Sequence, residues 1–79
     1  MTSAEIHAIW LMRILVASDY KPGDEIATGK VLKLAASAGL EGPRFDEAIK
    51  HSRSQDWIEN GQRAGNITLT PAGNVFGKQ

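Results

Sequence analysis

The chain has 79 residues, no cysteine, and nine basic against nine acidic side chains. This length predicts one small domain, and the lack of cysteine excludes disulfides and thiolate metal sites. A content of 42% hydrophobic and 23% charged residues is typical of a globular protein, while zero net charge argues mildly against nucleic acid as a partner.

The first predicted element is a helix over about residues 3–18. Thr2-Ser3-Ala4-Glu5 fits a capping box, in which the Thr2 hydroxyl accepts the backbone N–H of Glu5. The apolar run inside this helix is too short to span a bilayer and has no basic leader before it. We therefore expect a cytoplasmic protein that does not enter a membrane.

Helix 1 carries more apolar side chains than a helix packed on one side needs. One stripe is expected to pack on the following helices: Ile6, Trp10, Ile14 and Ala17. A second stripe is expected to form the interface of a homodimer: Ile9, Met12 and Val16. The alternative is that Val75-Phe76 folds over the second stripe and leaves a monomer.

After a turn at residues 19–24, a short strand is expected over residues 25–27. Thr28 would then cap helix 2 through its hydroxyl. The apolar positions of helix 2 recur at helical spacing: Val31, Leu34, Ala35 and Ala38. Gly39 ends this helix in the left-handed conformation, and Leu40 can fold back onto Ala35.

Pro43 is suited to the first turn of helix 3, which should run to about Gln55. Its buried face is predicted to be Phe45, Ala48, Ile49 and Ser52. Two helices joined by a tight glycine-containing turn form a helix-turn-helix unit over about residues 28–55. We expect Leu34, Ala35, Phe45, Ile49, Ile58 and Leu69 to be buried together.

Two strand-like segments follow, Trp57-Ile58-Glu59 and Ile67-Thr68-Leu69, joined by a link rich in glycine and asparagine. They predict a β-hairpin over about residues 57–70. Thr70-Pro71 would start a last short helical turn.

The helix-turn-helix and this hairpin, which closes in Ile67-Thr68-Leu69-Thr70-Pro71-Ala72-Gly73, together resemble a winged helix-turn-helix domain. The resemblance is to small bacterial transcriptional regulators of the MarR and PadR type, and it covers roughly residues 24–73. It implies an α+β fold with a single domain over residues 1–79, a three-helix bundle with a hairpin wing. Asp56 stands where these families often have a glycine, and the helices that they add for dimerisation are missing.

The resemblance implies a transcriptional regulator that binds double-stranded DNA, with helix 3 in the major groove and the wing on the backbone. The residues that it assigns to DNA are Arg44, Glu47, Lys50, His51, Ser54 and Gln55 on helix 3, and Arg63 in the wing. One alternative is that these side chains are simply solvated, since Asp46 and Glu47 repel phosphate. Another is a winged helix that binds a protein partner and no DNA.

Catalysis and metal binding have no support in the sequence. His7 and His51 lie in different helices without further ligands nearby, and no nucleophile is accompanied by a base. We expect no enzyme activity, no cofactor and no metal.

Overall fold

A computed structural model describes residues 2–79 as an α+β arrangement of four helices and one antiparallel sheet of three strands. The elements follow in the order α1 Ser3–Ala17, β1 Glu25–Ala27, α2 Thr28–Ser37, α3 Pro43–Ser54, β2 Ile58–Asn60, β3 Asn66–Leu69 and α4 Pro71–Gly77. The predicted order of helix, short strand, two helices and hairpin is confirmed. Among these helices none is long and apolar enough to cross a membrane.

The caps predicted at Thr2 and Gly39 are confirmed, and the cap predicted at Thr28 is wrong. The Thr2 hydroxyl accepts the Glu5 N–H at 3.2 Å, as predicted. Gly39 has a φ of +89°, and the Leu40 N–H donates to the Ala35 carbonyl at 2.8 Å, which closes α2 as predicted. Thr28, however, does not cap α2, because its hydroxyl donates to the carbonyl of Gly65 at 2.6 Å.

The sheet has the strand order β1-β3-β2, with both pairings antiparallel. The β2–β3 hairpin is the one predicted. The short strand β1 also joins it, through Ile26 opposite Ile67. These two side chains are buried, so the sheet packs one face on the helices.

The core forms around α1, which contacts α2, α3 and α4. Its interior side is Ala8, Leu11, Met12 and Leu15. The other main buried side chains are Ile26, Val31, Ala35, Leu40, Phe45, Ala48, Trp57, Ile58, Ile67 and Leu69. Four of the six predicted core residues are therefore confirmed, while Leu34 and Ile49 are only half-buried.

Met12 is fully buried, with 0% of its surface exposed, so it cannot lie on the surface stripe predicted for a dimer. α4 is the reason, since it packs along α1 at this point. A Cβ added to Gly77 would contact Val16 and come within 2.6 Å of the Met12 carbonyl oxygen. The alternative in which Val75-Phe76 folds over the second stripe is correct in that the C-terminal segment covers Met12, but Val75 itself is 55% exposed and the close contacts come from Gly73 and Gly77.

The expected last helical turn is a seven-residue helix, so the bundle has four helices instead of three. The Thr70 hydroxyl accepts the N–H of Gly73 at 3.1 Å, and Pro71 occupies the first turn. Gly73 lies inside the helix, where α4 closely approaches Trp57 and Met12, and Gly77 is the last helical residue, close to Val16 of α1. Packing therefore overrides the low helix propensity of glycine.

Candidate nucleic-acid interface

The polar side chains of α3 lie on two sides of the helix. One side, at spacings of three and four, runs next to α1 and consists of Arg44, Glu47, His51 and Gln55. The other side points away from the domain and consists of Asp46, Lys50, Arg53 and Ser54, all exposed. We call this second set the outward side of α3.

Glu47 belongs to the contact between α1 and α3. Its Oε1 lies 2.9 Å from Nδ1 of His7 and accepts a hydrogen bond from the Ser3 hydroxyl at 3.4 Å. The carboxylate is therefore held at the edge of α1, although its side chain is 43% exposed and lines a shallow groove together with Lys50, His51 and Ser54. The antiparallel course of α1 beside α3 is what brings His7 to this position.

His51 is also turned inward. Its ring meets the Trp57 ring edge-on, with the centroids 5.7 Å apart. Its Nε2 is buried and, within residues 2–79, has no hydrogen-bond partner. The Nε2 atom is thus inaccessible to a base edge, although the residue as a whole is half-buried and lines a shallow groove with Lys50 and Ser54.

The remaining predicted residues of α3 are accessible. Lys50 and Ser54 lie on the outward side, and Arg44 and Gln55 are exposed at the two ends of the helix. Sequence reasoning missed Arg53, which lies three residues after Lys50 and shares its side of the helix. The three-residue spacing from Lys50 was the sequence signal that could have identified Arg53.

Charge is unevenly distributed along the neutral chain. Residues 28–54, from α2 to the end of α3, contain five basic and three acidic side chains, a net charge of +2. Residues 1–27 contain two basic and four acidic side chains, a net charge of −2, and residues 55–79 contain two of each. The helix-turn-helix unit is therefore positive although the whole chain is not.

The hairpin loop, residues 61–65, carries Arg63 in an exposed position. It is attached to the start of α2, because both the N–H and the hydroxyl of Thr28 donate to the Gly65 carbonyl, at 2.9 and 2.6 Å. Arg63 is two residues before Gly65 in the chain, and Lys30 is two residues after Thr28. The loop that carries Arg63 is therefore held next to the first turn of α2.

Glu25 in β1 binds the same loop. Its carboxylate accepts the N–H of Gln62 at 2.7 Å, the N–H of Arg63 at 3.3 Å and the side-chain amide of Asn66 at 2.7 Å. These hydrogen bonds hold the pKa of the exposed Glu25 carboxyl below its ordinary value of 4.5, and the bond from Asn66 has the largest effect. Nothing in the sequence pattern pointed to Glu25, since its partners are 37 to 41 residues away.

The apolar surface that α1 leaves outside is not the stripe predicted for a dimer. It includes Ile6, which was wrongly predicted to pack on the following helices, and Trp10, which was predicted to pack there and is only half-buried. A shallow groove there is lined by Ile6, Ile9, Trp10 and Arg13, and Ile6 is 50% exposed. Of the three predicted dimer residues, Ile9 alone lies in this groove. Val16 is half-buried beside α4.

Comparison of the chain with models of known protein families, with curated protein sequences and with solved structures finds no match. The resemblance to winged-helix regulators therefore remains a prediction from the residues themselves.

Proposed function

We propose that this protein is a winged-helix DNA-binding protein that regulates transcription. In this proposal α3 enters the major groove of double-stranded DNA, and the β2–β3 hairpin is the wing, which lies along the phosphate backbone. Lys50, Arg53 and Ser54 on the outward side of α3 contact the groove. Arg63 contacts a backbone phosphate.

The observation that carries the proposal is the exposed pair of basic side chains on the outward side of α3. Lys50 and Arg53 are exposed together, while Glu47 is held against α1 by His7 at 2.9 Å. The charge of Glu47 is thus directed at His7, although its side chain still lines the same shallow groove as Lys50 and Ser54. Asp46 remains on the outward side, which leaves a weak positive surface and predicts modest affinity for one copy of the chain.

We propose that two copies bind together through the outer groove of α1. Ile6, Ile9 and Trp10 supply an apolar surface that a second α1 can cover, and exposed apolar surface of this kind is typical of interfaces. A two-fold pair would present two α3 helices to two half-sites and double the electrostatic contact.

The test is a salt-dependent gel shift on random duplex DNA. Non-specific dissociation constants at physiological salt are on the order of 1–100 μM for DNA-binding proteins, so low salt and micromolar protein are the conditions for binding. Lys50→Ala and Arg53→Ala should each weaken binding, and Arg63→Ala should weaken it about equally on all sequences. Each lost phosphate contact lowers the slope of log affinity against log salt by about 0.9.

The matched controls are Lys21→Ala and Lys78→Ala, which remove the same charge. Both residues line a groove between the end of α1 and α4, away from α3. Circular dichroism should be the same for all five variants. If the controls weaken binding as much as Lys50→Ala and Arg53→Ala, binding follows net charge alone and the assigned surface is wrong.

The second candidate function is a winged helix that binds another protein. It is favoured by the half-exposed Ile6 and by the groove with Ile9 and Trp10. A wild-type protein that shifts no duplex at low salt would contradict DNA binding and favour this candidate. The same gel shift therefore separates the two.

A further inference from the structure

The hairpin loop is fixed to the rest of the domain from two sides. Glu25 accepts three hydrogen bonds from Gln62, Arg63 and Asn66, and Thr28 donates two to the Gly65 carbonyl. A surface loop of five residues with no such contacts would sample many conformations. Here four hydrogen bonds made by loop residues, and a fifth made by Asn66 at the start of β3, hold the loop in one conformation.

The side chain of Glu25 also packs against the loop backbone. A Cβ added to Gly61 would lie 2.7 Å from Cδ of Glu25 and 2.9 Å from Cβ of Asn66, so only glycine fits there. The Glu25 side chain therefore packs closely against the loop backbone at Gly61.

The bonds determine where the loop presents its side chains. Because the N–H groups of Gln62 and Arg63 point at the carboxylate, the backbone at these two residues is held in one orientation. The Arg63 side chain is exposed on the outside of this fixed loop. A loop that is already ordered loses less conformational entropy when it binds.

We propose that Glu25 is a positioning residue for DNA binding, which holds the hairpin loop in the conformation in which Arg63 contacts a backbone phosphate. This inference rests on the proposed DNA-binding function and assigns a role to a residue outside the helix-turn-helix unit. Its partner is the negatively charged phosphate of duplex DNA.

The negative charge of Glu25 should change the affinity for DNA in the opposite direction to this positioning role. As an acid near Arg63, Glu25 repels phosphate, so simple electrostatics predicts that removing its charge strengthens binding. The positioning role predicts that removing it weakens binding. The two effects differ in sign, which makes the inference testable.

Glu59 provides a matched control. Glu25 and Glu59 both lie opposite Thr68, one on each side of β3, so they occupy the same row of the sheet on its two edge strands. Both are exposed. Glu59→Gln therefore removes the same charge at an equivalent position without touching the bonds to the loop.

The experiment measures DNA binding of Glu25→Gln and Glu59→Gln by salt-dependent gel shift. Glu59→Gln should bind as tightly as wild type or more tightly. Glu25→Gln should bind roughly five- to thirtyfold more weakly, the cost of ordering about one residue's backbone on binding. In an Arg63→Ala background, Glu25→Gln should cause no further loss, because the contact that it positions is gone.

Glu25→Asp is the second variant. It keeps the charge but withdraws the carboxylate by one methylene, so any loss of affinity comes from the hydrogen bonds. We expect it to weaken binding in the same direction as Glu25→Gln. Binding by Glu25→Asp and Glu25→Gln equal to or tighter than wild type would overturn the inference.

Amide hydrogen exchange in the free protein supplies a readout without DNA. The N–H groups of Gln62 and Arg63 should exchange faster in Glu25→Gln than in wild type, and their exchange rates should be unchanged in Glu59→Gln. If wild type binds no duplex, the proposed function fails and the DNA role of Glu25 fails with it, whatever the exchange shows. If wild type binds and exchange is unchanged in Glu25→Gln, only the inference fails.

Discussion

Three residues in the left-handed conformation end the first three helices. Asp19 has a φ of 68°, Gly39 of 89° and Asp56 of 59°. In each case the next residue donates its N–H to a carbonyl five residues back, from Tyr20 to Leu15, Leu40 to Ala35 and Trp57 to Ser52. The following residue is apolar each time and turns the chain back onto the core.

Asp56 should gain from replacement by glycine. An L-residue in the left-handed region carries a cost of up to about 1–2 kcal/mol, which glycine does not. Asp56→Gly should therefore leave the free energy of unfolding unchanged or raise it by up to about 1 kcal/mol, and Asp56→Val should lower it by about 1–2 kcal/mol. Urea denaturation measures both changes.

The control is Gln55→Gly at the preceding residue, where φ is −96° and there is no left-handed backbone strain for glycine to relieve. This variant should be destabilised by about 0.5–1 kcal/mol through the greater freedom of the unfolded chain. An Asp56→Gly protein that loses as much stability as Gln55→Gly would show that the left-handed residue carries no strain.

At the level of elements, the close approach of α4 to its neighbours explains why Met12 is buried. A Cβ on Gly73 would contact the Trp57 carbonyl and lie 2.9 Å from Sδ of Met12. Gly77 is equally close to Val16. The two glycines thus allow a short helix to cover a side of α1 that would otherwise face solvent.

Gly73→Ala should push α4 away from α1 and lower the free energy of unfolding by about 1–3 kcal/mol, the usual cost of overpacking. Gly29→Ala is the matched control, because Gly29 lies in the first turn of α2 with nothing near its Cβ position. There alanine should raise stability by up to about 1 kcal/mol. Thermal and urea unfolding of the two variants should move in opposite directions, and a Gly73→Ala protein as stable as wild type would contradict the packing described here.

For the whole molecule, the arrangement around α1 decides which surface remains for a partner. Three sides of this helix are covered by other helices, and the groove of Ile6, Ile9 and Trp10 is left outside. Burying one such side chain is worth about 1.5–3 kcal/mol, so a second α1 placed there would contribute substantially to association.

We expect wild-type protein to sediment as a dimer at micromolar concentration and Ile6→Glu to sediment as a monomer with unchanged circular dichroism. Leu32→Glu and Val75→Glu are the controls, since both are exposed apolar residues on other helices, at 44% and 55%. They should remain dimeric. Wild type that is monomeric at every concentration would exclude the dimer, and dissociation by all three variants would exclude this face as the interface.

The amino-acid sequence by itself determined the elements, because the signals that start and end them are local. The Thr2 cap, the turn at Gly39, the start at Pro43 and the two hairpin strands each depend on residues a few positions apart. The exposed positions of Lys50 and Arg63 followed in the same way. Each of these features appears in the structure close to its predicted place.

Only the tertiary structure decided which sides of the helices are used. α1 is apolar nearly all round, so its periodicity does not single out one buried side. Met12 is buried because α3 and α4 pack against α1. In the same way, the position of α1 turned Glu47 toward His7, and the bonds of Glu25 join residues far apart in the chain. Such contacts depend on how elements meet in space, and no spacing within one element encodes them.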